Sequence, residues 1–279
     1  MDDLTGPSVT RKALTRRTIV LLALVGLAAG VLSGMFGIGG GTVIVPTLVW
    51  LGLSQRQAAA TSLAAIVPTA AAAAIGYIVS GHIDWIAAGL LALGVVAGAR
   101  IGSALLSRLP ETVLRWSFVA FLVLVAASQF LFVPQRDSTI ALTVPLGIAV
   151  VGLGVVTGIL SGILGVGGGV VVVPSLSFLF GASDLIARGT SLVMMIPGAA
   201  TGTFANWRKH LVDLRAGLLI GLPAIVATPL GAWCAEALSP RLNSVLFGVY
   251  VTVLLIRSVL VALRPVRKPA APDEENRSA

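Results

Sequence analysis

Charged side chains are scarce in this sequence. They make up 11% of its 279 residues, and only 11 residues are acidic. A soluble domain carries about 25% charge, so a chain this poor in ions could not cover a water-exposed surface of its size. Cysteine is nearly absent. The single Cys234 excludes an intramolecular disulfide and any multi-cysteine zinc site, and in a helix it acts as a small apolar residue. The two histidines, His82 and His210, stand in connectors without metal-ligand spacing. Aromatic residues are few, and no basic patch is interleaved with them. A net charge of +8 therefore does not indicate nucleic acid. No glycine cluster ends in Lys-Ser/Thr, and no charged residue follows about 20 positions on to hold a ribose, which excludes the nucleotide-binding loops. Ser33 and Ser161 have no histidine at a matching depth to activate them, so no catalytic constellation exists. The chain is not expected to be an enzyme or to need a cofactor.

Apolar residues, by contrast, reach 57%, and mean hydropathy is +1.01. They come in long runs rather than amphipathic stripes, as membrane spans do. Eight runs are long enough to cross a bilayer, at 18–36, 57–80, 84–107, 112–133, 140–164, 185–206, 213–237 and 242–263. Two shorter runs, Thr42–Leu53 and Val170–Gly181, each follow a glycine cluster. The expectation is an all-α polytopic bundle of about eight full spans plus two short segments. The basic start and the apolar run after it superficially resemble a signal peptide, but the run continues into a glycine motif with no cleavage site, so it is expected to be the first membrane segment, retained.

An internal repeat organises these runs. Gly30-Val-Leu-Ser-Gly-Met-Phe-Gly-Ile-Gly-Gly-Gly41 recurs as Gly158-Ile-Leu-Ser-Gly-Ile-Leu-Gly-Val-Gly-Gly-Gly169. Pro46 then matches Pro174, Thr61-Ser62 matches Thr190-Ser191, Pro68 matches Pro197 and Asp84 matches Asp213. Chance similarity of apolar sequence does not produce a twelve-residue glycine pattern with polar partners at a nearly constant offset. The chain divides into a basic tail (1–17), a first repeat (18–133), a linker (134–139), a second repeat (140–264) and a Pro- and charge-rich tail (265–279), expected to be disordered.

Lys and Arg placement puts both tails in the cytoplasm. If the short segments return across the membrane, each repeat has an odd number of passes and the repeats are inverted. The cytoplasmic side then holds fourteen of the nineteen basic residues. Arg136, Arg188 and Arg241 lie outside, and Arg100 and Arg257 lie within spans. If the short segments only dip in, the repeats are parallel and the asymmetry weakens. Inverted repeats are favoured.

The glycine clusters are the candidate functional elements. Glycine in a helix interior costs about 1 kcal/mol relative to alanine, so Gly37, Gly39, Gly40 and Gly41 should interrupt the first helix. Gly165, Gly167, Gly168 and Gly169 should interrupt its counterpart. Unwound backbone survives within a bilayer only where protein or water satisfies it, and a helix N-terminus with free amides is an anion site. Thr61, Ser62, Thr190 and Ser191 are small hydroxyl residues at matched positions that could donate to the same anion. Other glycines, spaced four apart at 26, 30 and 34, at 94, 98 and 102, and at 154, 158 and 162, form helix-packing ridges. Asp84 and Asp213 stand at helix starts as caps.

With Gly34-Met-Phe-Gly-Ile-Gly-Gly-Gly41 and Gly162-Ile-Leu-Gly-Val-Gly-Gly-Gly169, followed by Pro46/Pro174 and the two Thr-Ser pairs, the sequence resembles the TauE/SafE sulfite-exporter-like family, also called the toluene-sulfonate uptake permease family. The resemblance covers roughly residues 18–264. It implies a prokaryotic inner-membrane transporter with an internal duplication, moving sulfite, sulfonates or related organosulfur anions. The expected partners are a small anion, a coupling proton or other ion, and the lipid bilayer, with no nucleic acid. A passive anion channel and a non-transporting membrane scaffold remain alternatives on the residues alone. Oligomeric state is not specified by the sequence.

Overall fold

The computed structural model describes residues 15–131 and 143–263. The expected linker (134–139), the tail (265–279) and most of the basic tail (1–17) lie outside the described residues. Ten helices are described, five in each half: α1 (Arg16–Phe36), α2 (Gly41–Trp50), α3 (Gln55–Val79), α4 (Trp85–Leu106), α5 (Glu111–Leu131), α6 (Val144–Leu164), α7 (Gly169–Leu179), α8 (Asp184–Trp207), α9 (Leu214–Ala237) and α10 (Pro240–Ala262).

Local chemistry sets the ends. Ser54 and Gln57 form a reciprocal capping box at the start of α3, and Ser183 caps α8. Asp84 and Asp213 cap α4 and α9 by accepting from the amides of Ala87 and Ala216. α1 and α6 end on Gly37 and Gly165, both in the left-handed region. Pro46, Pro68, Pro174 and Pro197 lie inside α2, α3, α7 and α8 rather than ending them. A buried bundle can re-satisfy the carbonyl that a proline frees.

The halves interlock. α1 packs along α9 of the other half, and α4 along α6. Both contacts are glycine-on-backbone. A Cβ on Gly26, Gly30 or Gly34 would lie 2.2–2.3 Å from the carbonyl oxygens of Ile220, Ala224 and Thr228. One on Gly94, Gly98 or Gly102 would lie 2.1–2.3 Å from those of Val151, Val155 and Ile159. Where lipid tails are as apolar as leucine, this close approach replaces the hydrophobic effect as the source of association. α3 and α8 run antiparallel at the centre, since Thr61 near the start of α3 meets Asp213 beyond the end of α8, and Thr190 near the start of α8 meets Asp84 beyond the end of α3. α5 and α10 pack together as a peripheral pair.

Six described helices, α1, α3, α4, α6, α9 and α10, have the length and apolarity of membrane spans. α8 has 24 residues but carries Asp184 and Arg188. α2 and α7, at 10 and 11 residues, are the expected short segments. The outer surface is apolar, with Leu93, Leu124, Ile148 and Val226 well exposed, while Ser33, Thr61, Ser62, Thr157, Thr190, Ser191 and Asn206 are buried. All five tryptophans, Trp50, Trp85, Trp116, Trp207 and Trp233, are exposed and lie near helix ends, where an amphipathic ring suits the headgroup layer.

Candidate functional site

The two glycine breaks meet at the centre of the bundle. Gly39, Gly40, Gly167 and Gly168 all have φ between 70° and 93°, which an L side chain rarely adopts. Gly40 and Gly168 begin α2 and α7 with no side-chain cap. Close approach adds a second constraint. A Cβ on Gly41 would lie 2.6 Å from the Gly165 oxygen, and one on Gly169 would lie 2.2 Å from the Gly37 oxygen. Each short helix therefore starts against the broken end of the other half's long helix. Ile66 and Met195, equivalent residues of α3 and α8, pack against both Gly39 and Gly167.

This geometry leaves a set of donors. Among the described residues, no carbonyl or side chain accepts from the backbone amides of Ile38 to Thr42 or of Val166 to Val170. All ten residues are buried. An unpaired buried amide costs about 1–3 kcal/mol, so two such runs are a strong demand for acceptors. Each run opens a helix, where the macrodipole adds positive potential. The hydroxyls of Ser33, in the last turn of α1, and of Thr157, about two turns before the end of α6, are also fully buried without a partner; the Thr157 methyl lies against Gly168.

Of the four expected hydroxyl residues, the two serines hold the breaks. The Ser62 hydroxyl donates to the Gly165 carbonyl at 2.8 Å, and the Ser191 hydroxyl to the Gly37 carbonyl at 2.7 Å. Thr61 accepts from the Asp213 amide and Thr190 from the Asp84 amide, each at 3.0 Å. Gly37, Gly39, Gly40, Gly41, Gly165, Gly167, Gly168, Gly169, Ser62 and Ser191 are thus brought together at the breaks. Thr61 and Thr190 sit one residue before the serines and tie down the starts of α9 and α4.

Sequence patterning missed a buried ion pair. Arg188 is 4% exposed, and its guanidinium donates to the Met35 carbonyl at 2.7 Å and pairs with Asp184 at 3.4 Å. Arg188 backs directly onto Gly37. The Tyr77 hydroxyl donates to the Gly34 carbonyl at 2.7 Å. Helix dipoles place both charges favourably, the guanidinium at the C-terminus of α1 and the carboxylate in the first turn of α8. One signal was available, an Asp and an Arg four apart on one helix face, but both stand so close to a connector that they read as surface groups. At the opposite end of α8, Lys209 donates to the Ser103 carbonyl at 2.7 Å and to the Ser107 hydroxyl at 3.1 Å. Partial burial, and then the nearby Arg108, lower its pKa from the ordinary lysine value. Among the described residues, no group of three or more His, Cys, Asp or Glu could hold a metal ion.

Comparison with known proteins agrees with this architecture. A family model described as "Sulfite exporter TauE/SafE" matches residues 5–129 and 150–279, one segment per half. A Haemophilus influenzae protein named "Probable membrane transporter protein" is 33% identical over 220 residues, 75% of this chain and 82% of that protein. The Bacillus subtilis "Probable membrane transporter protein YunE" is 26% identical over 273 residues, 88% of this chain and 96% of its own. The Arabidopsis thaliana "Sulfite exporter TauE/SafE family protein 1" is 31% identical over 108 residues, 39% of this chain and 24% of its own. No solved structure matches the chain.

Proposed function

Because the chain belongs to the TauE/SafE sulfite exporter family of multi-pass membrane transporters, we propose that it is a secondary carrier of a small oxyanion, held between the two glycine breaks. The observation that carries this proposal is the pair of buried amide runs, Ile38–Thr42 and Val166–Val170, which open α2 and α7 without protein acceptors. Ten neutral donors at two helix N-termini suit a small anion that sheds its water on entry. The amides of Gly39, Gly40, Gly41, Gly167, Gly168 and Gly169 are the primary contacts in this proposal. Gly37 and Gly165 shape the breaks, and Ser62, Ser191, Thr61 and Thr190 fix their geometry. The substrate class is sulfite, sulfonate or a related organosulfur anion, as the name of the family and of the plant relative suggests.

The repeats are inverted in this proposal. Support comes from the antiparallel run of α3 and α8 and from the course of α1 and α2: α1 runs alongside α9, and α2 leads back to the end of the bundle where α3 begins. With that end in the cytoplasm of a prokaryotic inner membrane, both termini are cytoplasmic and the excess of Lys and Arg falls inside. Rocking of one repeat against the other about the breaks would then expose the site to each side in turn.

The test is radiolabelled sulfite and sulfonate flux in proteoliposomes, with and without an imposed proton gradient. Saturable flux with counterflow supports a carrier, and a response to the gradient identifies a coupling proton. Large non-saturable conductance indicates a channel, and no flux with a copurifying protein indicates a scaffold. A folded Gly40→Leu/Gly168→Leu variant that transports normally would sink the site assignment.

A further inference from the structure

The two halves differ beside their breaks. At one end of the bundle, Tyr77 reaches the Gly34 carbonyl, and Arg188 lies against Gly37. The repeat equivalents of Tyr77 and Arg188 at the other end are Asn206 and Ala59, and Ser103 stands where the first end has Ala232. A phenol and a guanidinium are thus exchanged for an amide and a methyl.

The smaller residues leave polar groups unmet. Asn206 is fully buried, yet neither its Nδ2 nor its Oδ1 has a partner, and the fully buried Ser103 hydroxyl has none either. They belong to one cluster. A Cβ on Gly202, one turn before Asn206, would lie 3.6 Å from the Ser103 Oγ, and Lys209, three residues after Asn206, bonds the Ser103 carbonyl. The exposed charged residues of the α8–α9 turn, Arg208 and Lys209, are both cations. Lys209 is exposed there, near enough to Arg108 for that charge to lower its pKa, with Arg208 adjacent in sequence. The carboxylate on this turn, Asp213, caps α9.

We propose that Asn206, Ser103 and Lys209 form a second, peripheral oxyanion subsite, on the path between the α8–α9 turn and the glycine breaks. It rests on the anion-carrier reading of those breaks. An entering anion meets exposed cations first and then neutral buried donors, Nδ2 of Asn206 and Oγ of Ser103, whereas a cation is repelled at the mouth. At the other end, Tyr77 and Arg188 fill the corresponding space.

The test is thiol accessibility in lipid nanodiscs. Ser103→Cys is made in a Cys234→Ala background and treated with anionic and cationic methanethiosulfonate reagents of similar size. The anionic reagent should modify Cys at 103 about tenfold faster than the cationic one, and Lys209→Gln should bring the two rates together. Asn206→Tyr, which copies Tyr77, should slow both reagents. No modification by either reagent, equal rates for the two, or rates unchanged by Asn206→Tyr would overturn the subsite. Modification needs no transport. Charge-selective labelling without flux of sulfur anions would leave the subsite standing and remove the substrate assignment, while flux with an unreactive cysteine would do the reverse.

Discussion

The Ser191 hydroxyl donates to the carbonyl of Gly37, 154 positions earlier in the chain, and Ser62 returns the bond to Gly165. Each half therefore closes the broken helix of the other. Ser62→Ala or Ser191→Ala leaves a buried carbonyl without its donor, and each should cost about 1–3 kcal/mol. Because both bonds brace the same pair of breaks, the double variant should depart from additivity. Thermal unfolding in detergent, followed by circular dichroism, checks both expectations. Independent, additive losses would mean that the two breaks are not mechanically joined.

The glycine ridges make a sharper prediction, because an internal control exists. A Cβ on Gly98 would lie 2.1 Å from the Val155 carbonyl, while one on Gly89, in the same helix, meets nothing within 4 Å. Gly98→Ala should destabilise the protein by about 1–3 kcal/mol by forcing α4 off α6. Gly89→Ala should stabilise it by up to about 1 kcal/mol through helix propensity. Unfolding midpoints of the two variants should move in opposite directions.

Much of this was legible in the sequence, for identifiable reasons. The duplication was visible because the two breaks need glycine for one of two reasons or both, positive φ at Gly37, Gly39, Gly40, Gly165, Gly167 and Gly168 and contact with the opposite backbone at Gly37, Gly41, Gly165 and Gly169, so their spacing stands out among interchangeable Leu, Val and Ala. The ridges at Gly26–Gly34 and Gly94–Gly102 were legible on the same grounds. Their partners were not, since a glycine every four residues marks a close contact without saying which helix makes it. The roles of Thr61, Ser62, Thr190 and Ser191 depend on bonds more than 100 residues apart in the chain, which no local pattern encodes. Arg188 and Asp184 escaped notice because burial of a charge near a helix start is decided by what packs over it, here α1 and Tyr77.

Lys209 gives a pH prediction. Its folded-state pKa lies below the ordinary lysine value, so between the two the unfolded chain binds more protons than the folded one. Stability should therefore rise with pH across that window. Lys209→Gln should flatten the rise. Acylation of the Lys209 amine, followed by peptide mapping, should occur at lower pH than for a lysine in a short unstructured peptide. Reaction at the same pH would mean that neither burial nor Arg108 acts on it.

The buried pair Arg188–Asp184 separates structural from functional roles. Removing one partner strands the other charge, so Arg188→Ala or Asp184→Ala should each cost about 3–5 kcal/mol, whereas Arg188→Met/Asp184→Leu should recover most of that loss. If the pair serves only to hold α8 against α1, the apolar double variant should transport as the parent does. If separation of the pair accompanies opening at this end, the double variant should fold yet carry anions at an altered rate. The Met35 carbonyl would then lose the guanidinium donor that now ties α1 to α8, while the Gly37 carbonyl would keep its bond from Ser191. Unfolding in detergent and flux in proteoliposomes, measured on the same three variants, distinguish these outcomes. Recovery of stability without recovery of the parent rate would assign the pair to the transport cycle.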